Sequence, residues 1–271
     1  MAESGFQPVR KLLQIKMRLI KLTLQYDGTN YSGWQVQKNG TTIQGCLEEA
    51  VSIITGERSR ITGAARTDAG VHALQQVAVF STESPLAPQV FVKALNGNLP
   101  RDIKVINAEE CENDFHPRYD AKNKTYSYII FRTGVYAVFL ERYSWSIPYK
   151  LNCGPMREAA GYLVGEHDFS CFRASGCSSK HPVRTIYDIQ IAELPSIEFI
   201  GFQFTVPVIK ISIQANAFLR HMVRNIVGTL MEIGRDKGAP EKMKEILESK
   251  DRRIAGKTAP AQGLFLEKIE Y

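Results

Sequence analysis

The run Gly63-Ala64-Ala65-Arg66-Thr67-Asp68-Ala69-Gly70-Val71-His72-Ala73 packs a carboxylate, a guanidinium, an imidazole and two glycines together. It precedes the apolar strand-like run Leu74 to Thr82, so it reads as a loop entering a strand. Two roles are open to Asp68. As an ordinary turn residue, its carboxylate accepts a backbone N–H. Alternatively, Arg66 and a second cation hold it ionised, and a fixed carboxylate without a general base beside it acts directly as a nucleophile.

A second chemical run is Asn216-Ala217-Phe218-Leu219-Arg220-His221-Met222-Val223-Arg224-Asn225. Apolar residues at 219, 222, 223, 226, 227, 230 and 231 predict a helix over Ala217–Ile233, the longest in the chain. Arg220 and Arg224 would stack four apart on it, a like-charge pair that needs anionic company. A solvated face or phosphate contacts satisfy Arg220, whereas Arg224, nearer the apolar stripe, can point inward at a carboxylate. In Lys124-Thr125-Tyr126-Ser127-Tyr128, alternation puts both tyrosines on one strand face. There they are core residues, or Tyr126 stacks on a nucleobase.

These segments sit in a repeated grammar. The first half predicts a strand over Arg18–Tyr26, a helix over Ile43–Thr55 capped by Gly56, the strand Leu74–Thr82, a helix near Gln89–Leu95 and a strand near Ile103–Ile106. The second predicts strands at Thr125–Phe131, Thr185–Leu194, Phe202–Ile213 and Leu264–Ile269, and helices at Pro155–Val164 and Ala217–Ile233. Glu49 to Glu57 aligns without gaps on Glu158 to Glu166, at two predicted helix ends. Together these features predict two α+β halves, each an antiparallel sheet with helices on one face. The two sheets would join edge to edge into one platform with helices behind it. The expected divisions are an extension at 1–16, an N-terminal half at 17–120 and a C-terminal half at 121–271.

The net charge is +6, unevenly placed. Residues 1–120 hold 13 basic and 13 acidic side chains, against 21 and 15 in 121–271. A polyanion met mainly by the C-terminal half accounts for this. Without the 1–16 extension, the N-terminal half is slightly acidic. Cys46, Cys111, Cys153, Cys171 and Cys177 form no C-x-x-C motif and read as reduced thiols of a cytoplasmic protein. No apolar run is long enough for a membrane span. No Rossmann or P-loop glycine signature is present, and no cofactor or metal is expected.

The run Arg66 to Ala73 resembles the signature of the tRNA pseudouridine synthase A family. So do Tyr26-Asp27-Gly28, Gly33-Trp34-Gln35, Gln44, Leu95 to Pro100, Asp114 to Arg118, Lys124 to Tyr128, Gly165 to Phe169, Asn216 to Gly228 and Ala259 to Leu264. The likeness covers 17–271 in order. One departure is Ala65, where the family pattern usually has glycine; the added methyl bears on how the loop holds Arg66. The resemblance implies a two-half, RRM-like or ferredoxin-like α+β fold with its active-site cleft between the halves. It implies Asp68 as catalytic aspartate, Arg224 as its charge partner, Tyr126 packed on the target base and Leu264 as an apolar wall. Arg66 would fill the place vacated by a flipped uridine or clamp a phosphate, and His72 and Arg220 are expected RNA contacts. The implied reaction converts uridine to pseudouridine on the 3′ side of the tRNA anticodon stem-loop, at family positions 38–40, by a homodimer without a cofactor. Rival readings are a non-catalytic RRM-like RNA binder, a paralogue with another RNA target, and a hydrolase using Asp68 and His72. The RNA binder lacks the aromatic RRM signature, and the hydrolase lacks an orienting third group.

Overall fold

Alternating burial along Arg18–Tyr26 makes the first strand, β1, with Ile20, Leu22, Leu24 and Tyr26 turned to the core. The computed structural model describes residues 17–132, 137–177, 179–199 and 201–271, so the 1–16 extension lies outside the described residues. The other strands are β2 (Thr62–Gly63), β3 (His72–Thr82), β4 (Ile103–Cys111), β5 (Asn123–Arg132), β6 (Trp145–Ile147), β7 (Gly165–Asp168), β8 (Val183–Leu194), β9 (Ile197–Phe199), β10 (Phe202–Phe204), β11 (Val208–Ala215) and β12 (Leu264–Glu270). The helices are α1 (Ile43–Thr55), α2 (Pro88–Asn98), α3 (Cys153–Gly161), α4 (Met222–Ile233) and α5 (Lys242–Ser249).

Ten strands form one mixed sheet in the order β4-β1-β3-β12-β5-β11-β8-β7, with β2 on β3 and β6 on β5. Most neighbours are antiparallel; β12 with β3 and β5 with β6 are parallel. The middle of the sheet is thinly joined. Strand β12 follows β5 from Leu264 to Glu270 but meets β3 only through Phe265 with His72 and Leu266 with Ala73. Strand β2 takes Ala78 and Val79 on the same edge of β3. The chain leaving β2 therefore peels away beside the seam, which sets the 64–71 loop over the centre of the sheet.

Four local expectations change. The predicted strand Phe202–Ile213 divides into β10 and β11, and Pro207, which has no N–H for a ladder, lies at the break. Helix α4 begins at Met222, not Ala217, and with 12 residues is shorter than α1 with 13. Asn216 ends β11 by accepting the N–H groups of Thr185 and Ala217 on one side-chain oxygen. Phe218 and Leu219 are covered by packing at the cleft rather than by a helical stripe, so Arg220 and Arg224 are not helical neighbours. Helix α3 spans Cys153–Gly161 and stops four residues short of Gly165, whereas Gly56 directly caps α1 in a left-handed conformation. The Glu49–Glu57 and Glu158–Glu166 runs thus end their helices differently.

Candidate active site

Two close approaches fix the Asp68 loop. Gly28 passes so near it that a Cβ would lie 2.0 Å from the Val71 carbonyl oxygen. Gly33, at φ +95°, would place one 2.7 Å from that of Thr67. Only glycine permits both packings. The Trp34 N–H then donates to the Thr67 carbonyl at 3.0 Å, and the Tyr26 and Thr67 hydroxyls share a 2.8 Å hydrogen bond. The fully buried Gln76 amide donates to the Ala65 carbonyl at 2.8 Å and accepts the Ala65 N–H at 3.2 Å. Ala65 does not take a left-handed backbone, the conformation that would favour glycine there. From the other side of the seam, Lys124 Nζ donates to the Ala64 carbonyl at 2.6 Å. Burial, with Arg118 nearby, pulls this lysine down to about 8.

Asp68 opens a tight turn closed by its own carbonyl, which accepts the Val71 N–H at 3.2 Å. Gly70, at φ +77°, takes the left-handed third position. The main chain thus satisfies the turn, and among the described residues no backbone N–H reaches the carboxylate. Instead, Asp68 Oδ2 lies 3.3 Å from Arg224 Nη1 and 3.4 Å from His221 Nε2. Arg224 is itself aimed by donating from Nε to the Ala259 carbonyl at 2.8 Å. His221 sits at the N-cap of α4 with φ +61°, a left-handed conformation that a residue bearing a Cβ adopts at a cost. Burial pulls its pKa down; Arg224, Arg220 and Arg252 push the same way, against the pull of Asp68. Its Nε2 stands within ion-pair range of the carboxylate, so the two groups bear on each other's charge.

Asp68 faces a cavity of about 660 Å³ whose walls include Tyr126, Leu264, Phe218 and Trp34. Tyr126 is edge-on to Phe218, with ring centroids 5.0 Å apart, and burial raises its phenol so that it stays protonated. Leu264 and Leu266 of β12 pair with Tyr128 and Tyr126 of β5. Tyr126 shares its strand face with Tyr128, whose hydroxyl donates to the Pro260 carbonyl. The entrance to α1 (Gln44) and the first turn of α4 also line the cavity.

Of the other expected site residues, Arg66 and Arg220 are exposed at the cleft, and Arg220 Nη1 donates to the Ser175 carbonyl. His72 is corrected. It is only 1% exposed and does not line the cavity. Its Nδ1 lies 3.1 Å from both the Gly28 nitrogen and Asp27 Oδ1, and its ring stacks on Phe265. Burial lowers its pKa, and it braces the Asp27-Gly28 turn rather than gripping RNA. Sequence reasoning gave no role to His221, Lys124 or Gln76. A polar residue in the inward phase of a strand was the available signal for Lys124 and Gln76. It also passed over Tyr119, a 74% exposed aromatic on the cavity wall, with His116 at 4.2 Å ring to ring.

A family model described as tRNA pseudouridine synthase matches residues 23–120 and 159–271. The chain is 47% identical over 255 residues to a tRNA pseudouridine synthase A of Thermoanaerobacter sp. (strain X514), covering 94% of this chain and all of the relative. It is 44% identical over 255 residues, with the same coverage, to the tRNA pseudouridine synthase A of Acetivibrio thermocellus. A Pelobacter propionicus protein of that name is 43% identical over 258 residues, again with 94% of this chain and all of the relative covered.

Proposed function

The chain belongs to the tRNA pseudouridine synthase family, and on that premise we propose that it isomerises uridine to pseudouridine in tRNA with Asp68 as the nucleophile. The observation that carries this is the Asp68 carboxylate, hydrogen-bonded at Oδ2 by Arg224, with His221 Nε2 3.4 Å away, and open to a cavity walled by Tyr126 and Leu264. Extruding a uridine from its stack costs a few kcal/mol, and packing on Tyr126 offsets part of that. The Arg224 guanidinium replaces the water an ionised carboxylate would otherwise keep, so Asp68 meets substrate charged and poorly hydrated. A carboxylate here can attack C1′ or C6, or remove a sugar proton. The balance is the same in each case. The N1–C1′ bond breaks, the uracil turns, the C5–C1′ bond forms, C5 loses a proton and N1 gains one.

The proposed target is the 3′ side of the anticodon stem-loop, at family positions 38–40, and the proposed active form is a homodimer in the cytoplasm. All five cysteines are free, and no described helix is long and apolar enough to cross a membrane, in keeping with that compartment. A division into similar halves at 17–120 and 121–271 is supported by the two-residue seam between β3 and β12. Arg66, exposed at the rim, would fill the space left by the flipped base or clamp a phosphate. The test is Asp68→Asn assayed on unmodified tRNA carrying tritium at uridine C5. Release should vanish while tRNA affinity stays near wild type; release at the wild-type rate would overturn the assignment.

A further inference from the structure

A second, shallower concavity of about 640 Å³ adjoins the cleft, and the two share Gln35, Val36, Gln44 and Arg60 as walls. The shared wall makes them one groove. Its floor is built by Gln44, whose side chain accepts the Val36 N–H and donates to the Ile61 carbonyl. The outer rim is the segment between α1 and β2. There the side chains alternate. Glu57 accepts from Thr82 and Glu83, Ser59 donates to the Ser81 carbonyl, and Ile61 is buried. That phase leaves Arg58 and Arg60 pointing outward, both exposed and both lining the shallow part. Among the described residues, neither makes an ion pair or a side-chain hydrogen bond. The acid within the groove is Glu48, and its Oε1 is occupied by Gln44 Nε2 at 2.8 Å and the Ile61 N–H at 3.1 Å.

We propose that this groove is an RNA-backbone site in which Arg58 and Arg60 take phosphates of the strand leaving the target uridine. The proposal rests on tRNA being the substrate. A flipped nucleotide remains joined to both neighbours, so its strand must leave the cleft along a surface, and this groove runs directly from it. Unpaired arginines on a polar wall suit phosphodiester oxygens, which accept their forked donors. Three acids of the N-terminal half are paired elsewhere. Glu109 and Glu110 pair with Lys21 and Arg18, and Asp27 with Arg142. Arg58 and Arg60 thus form a cationic edge beside the cleft.

The test is the double variant Arg58→Gln/Arg60→Gln, with Lys93→Gln/Lys104→Gln as a charge-matched control on α2 and β4, away from both concavities. Binding of unmodified tRNA is measured across a salt series, with pseudouridine formation by the wild type alongside. The arginine variant should lower the slope of log affinity against log salt by about 1 per arginine, and the control should keep the wild-type slope. An arginine variant with the wild-type slope, or a control that loses as much, overturns the groove. Absence of uridine conversion by the wild type would instead sink the parent reading, which the binding slopes do not measure.

Discussion

Asp68 and Arg224 are 156 residues apart in the chain, yet Arg224 Nη1 donates to Asp68 Oδ2 at 3.3 Å. One comes from the loop before β3 and the other from the first turn of α4, so the pair exists only when the two sides of the sheet are joined. With the Arg224 side chain 15% and the Asp68 side chain 25% exposed, the contact is shielded enough to matter and open enough for substrate to reach the carboxylate.

Removing the guanidinium should therefore act on turnover. For Arg224→Met the expected loss in kcat is roughly a hundredfold, about 3 kcal/mol, with tRNA affinity changed less than about threefold. Single-turnover kinetics beside filter binding measures both. An equal fall in the two would recast Arg224 as a phosphate contact.

His221 joins the neighbourhood of the proposed nucleophile to an uncommon backbone. Asn visits the left-handed region more readily than Ala. His221→Asn should keep the wild-type melting temperature, and His221→Ala should lose about 1 kcal/mol of stability. Both should slow conversion, because Asp68 loses the imidazole that stands 3.4 Å from its Oδ2. Melting curves with the same kinetic assay separate strain from chemistry.

Lys124 carries a pH signature. Its pKa falls to about 8 in the folded protein against 10.5 ordinarily, so below 8 folding bears the cost of burying a charge. Between 8 and 10.5 the unfolded chain holds more protons, and stability rises with pH there. Relative to Lys124→Met, the wild type should gain up to about 3 kcal/mol across that window. Urea denaturation at pH 7, 8.5 and 10 reads this; a flat difference would mean that the ammonium is well solvated.

Tyr119 stands exposed on the cleft wall with His116 against its ring and Arg118 5.8 Å from the centroid. The expected effect of Tyr119→Ala is a loss of about 1–2 kcal/mol in RNA affinity, with Tyr119→Phe near wild type, as for an aromatic that stacks on a base. Fluorescence titration with a tRNA carrying 2-aminopurine beside the target checks it.

Where the fold was legible, the signals were local. The alternation of β1 and the helical spacing and glycine cap of α1 are written in neighbouring residues. The 217–221 segment deceived because Phe218 and Leu219 are apolar for the sheet's sake and imitate helix spacing. His72 deceived because a polar residue in a functional run need not face the ligand. Arg224 could be read as aimed at a carboxylate, but which carboxylate depends on a contact across 156 positions that no local pattern encodes. Gln76 and Lys124 stood at inward strand positions, and what they hold became visible only with the loop folded above them.

The seam between β3 and β12 also sets the order of assembly. Two residue pairs, Phe265 with His72 and Leu266 with Ala73, tie the strand after the Asp68 loop to the last strand of the described chain. Leu264, a wall of the cavity, belongs to that same strand. During synthesis the Asp68 loop can fold early, but its cavity lacks a wall until β12 has been made. The closing contacts are among the longest-range in the chain, and such contacts form late. A nascent chain thus carries its carboxylate long before it has a complete cavity, which closes only as β12 docks.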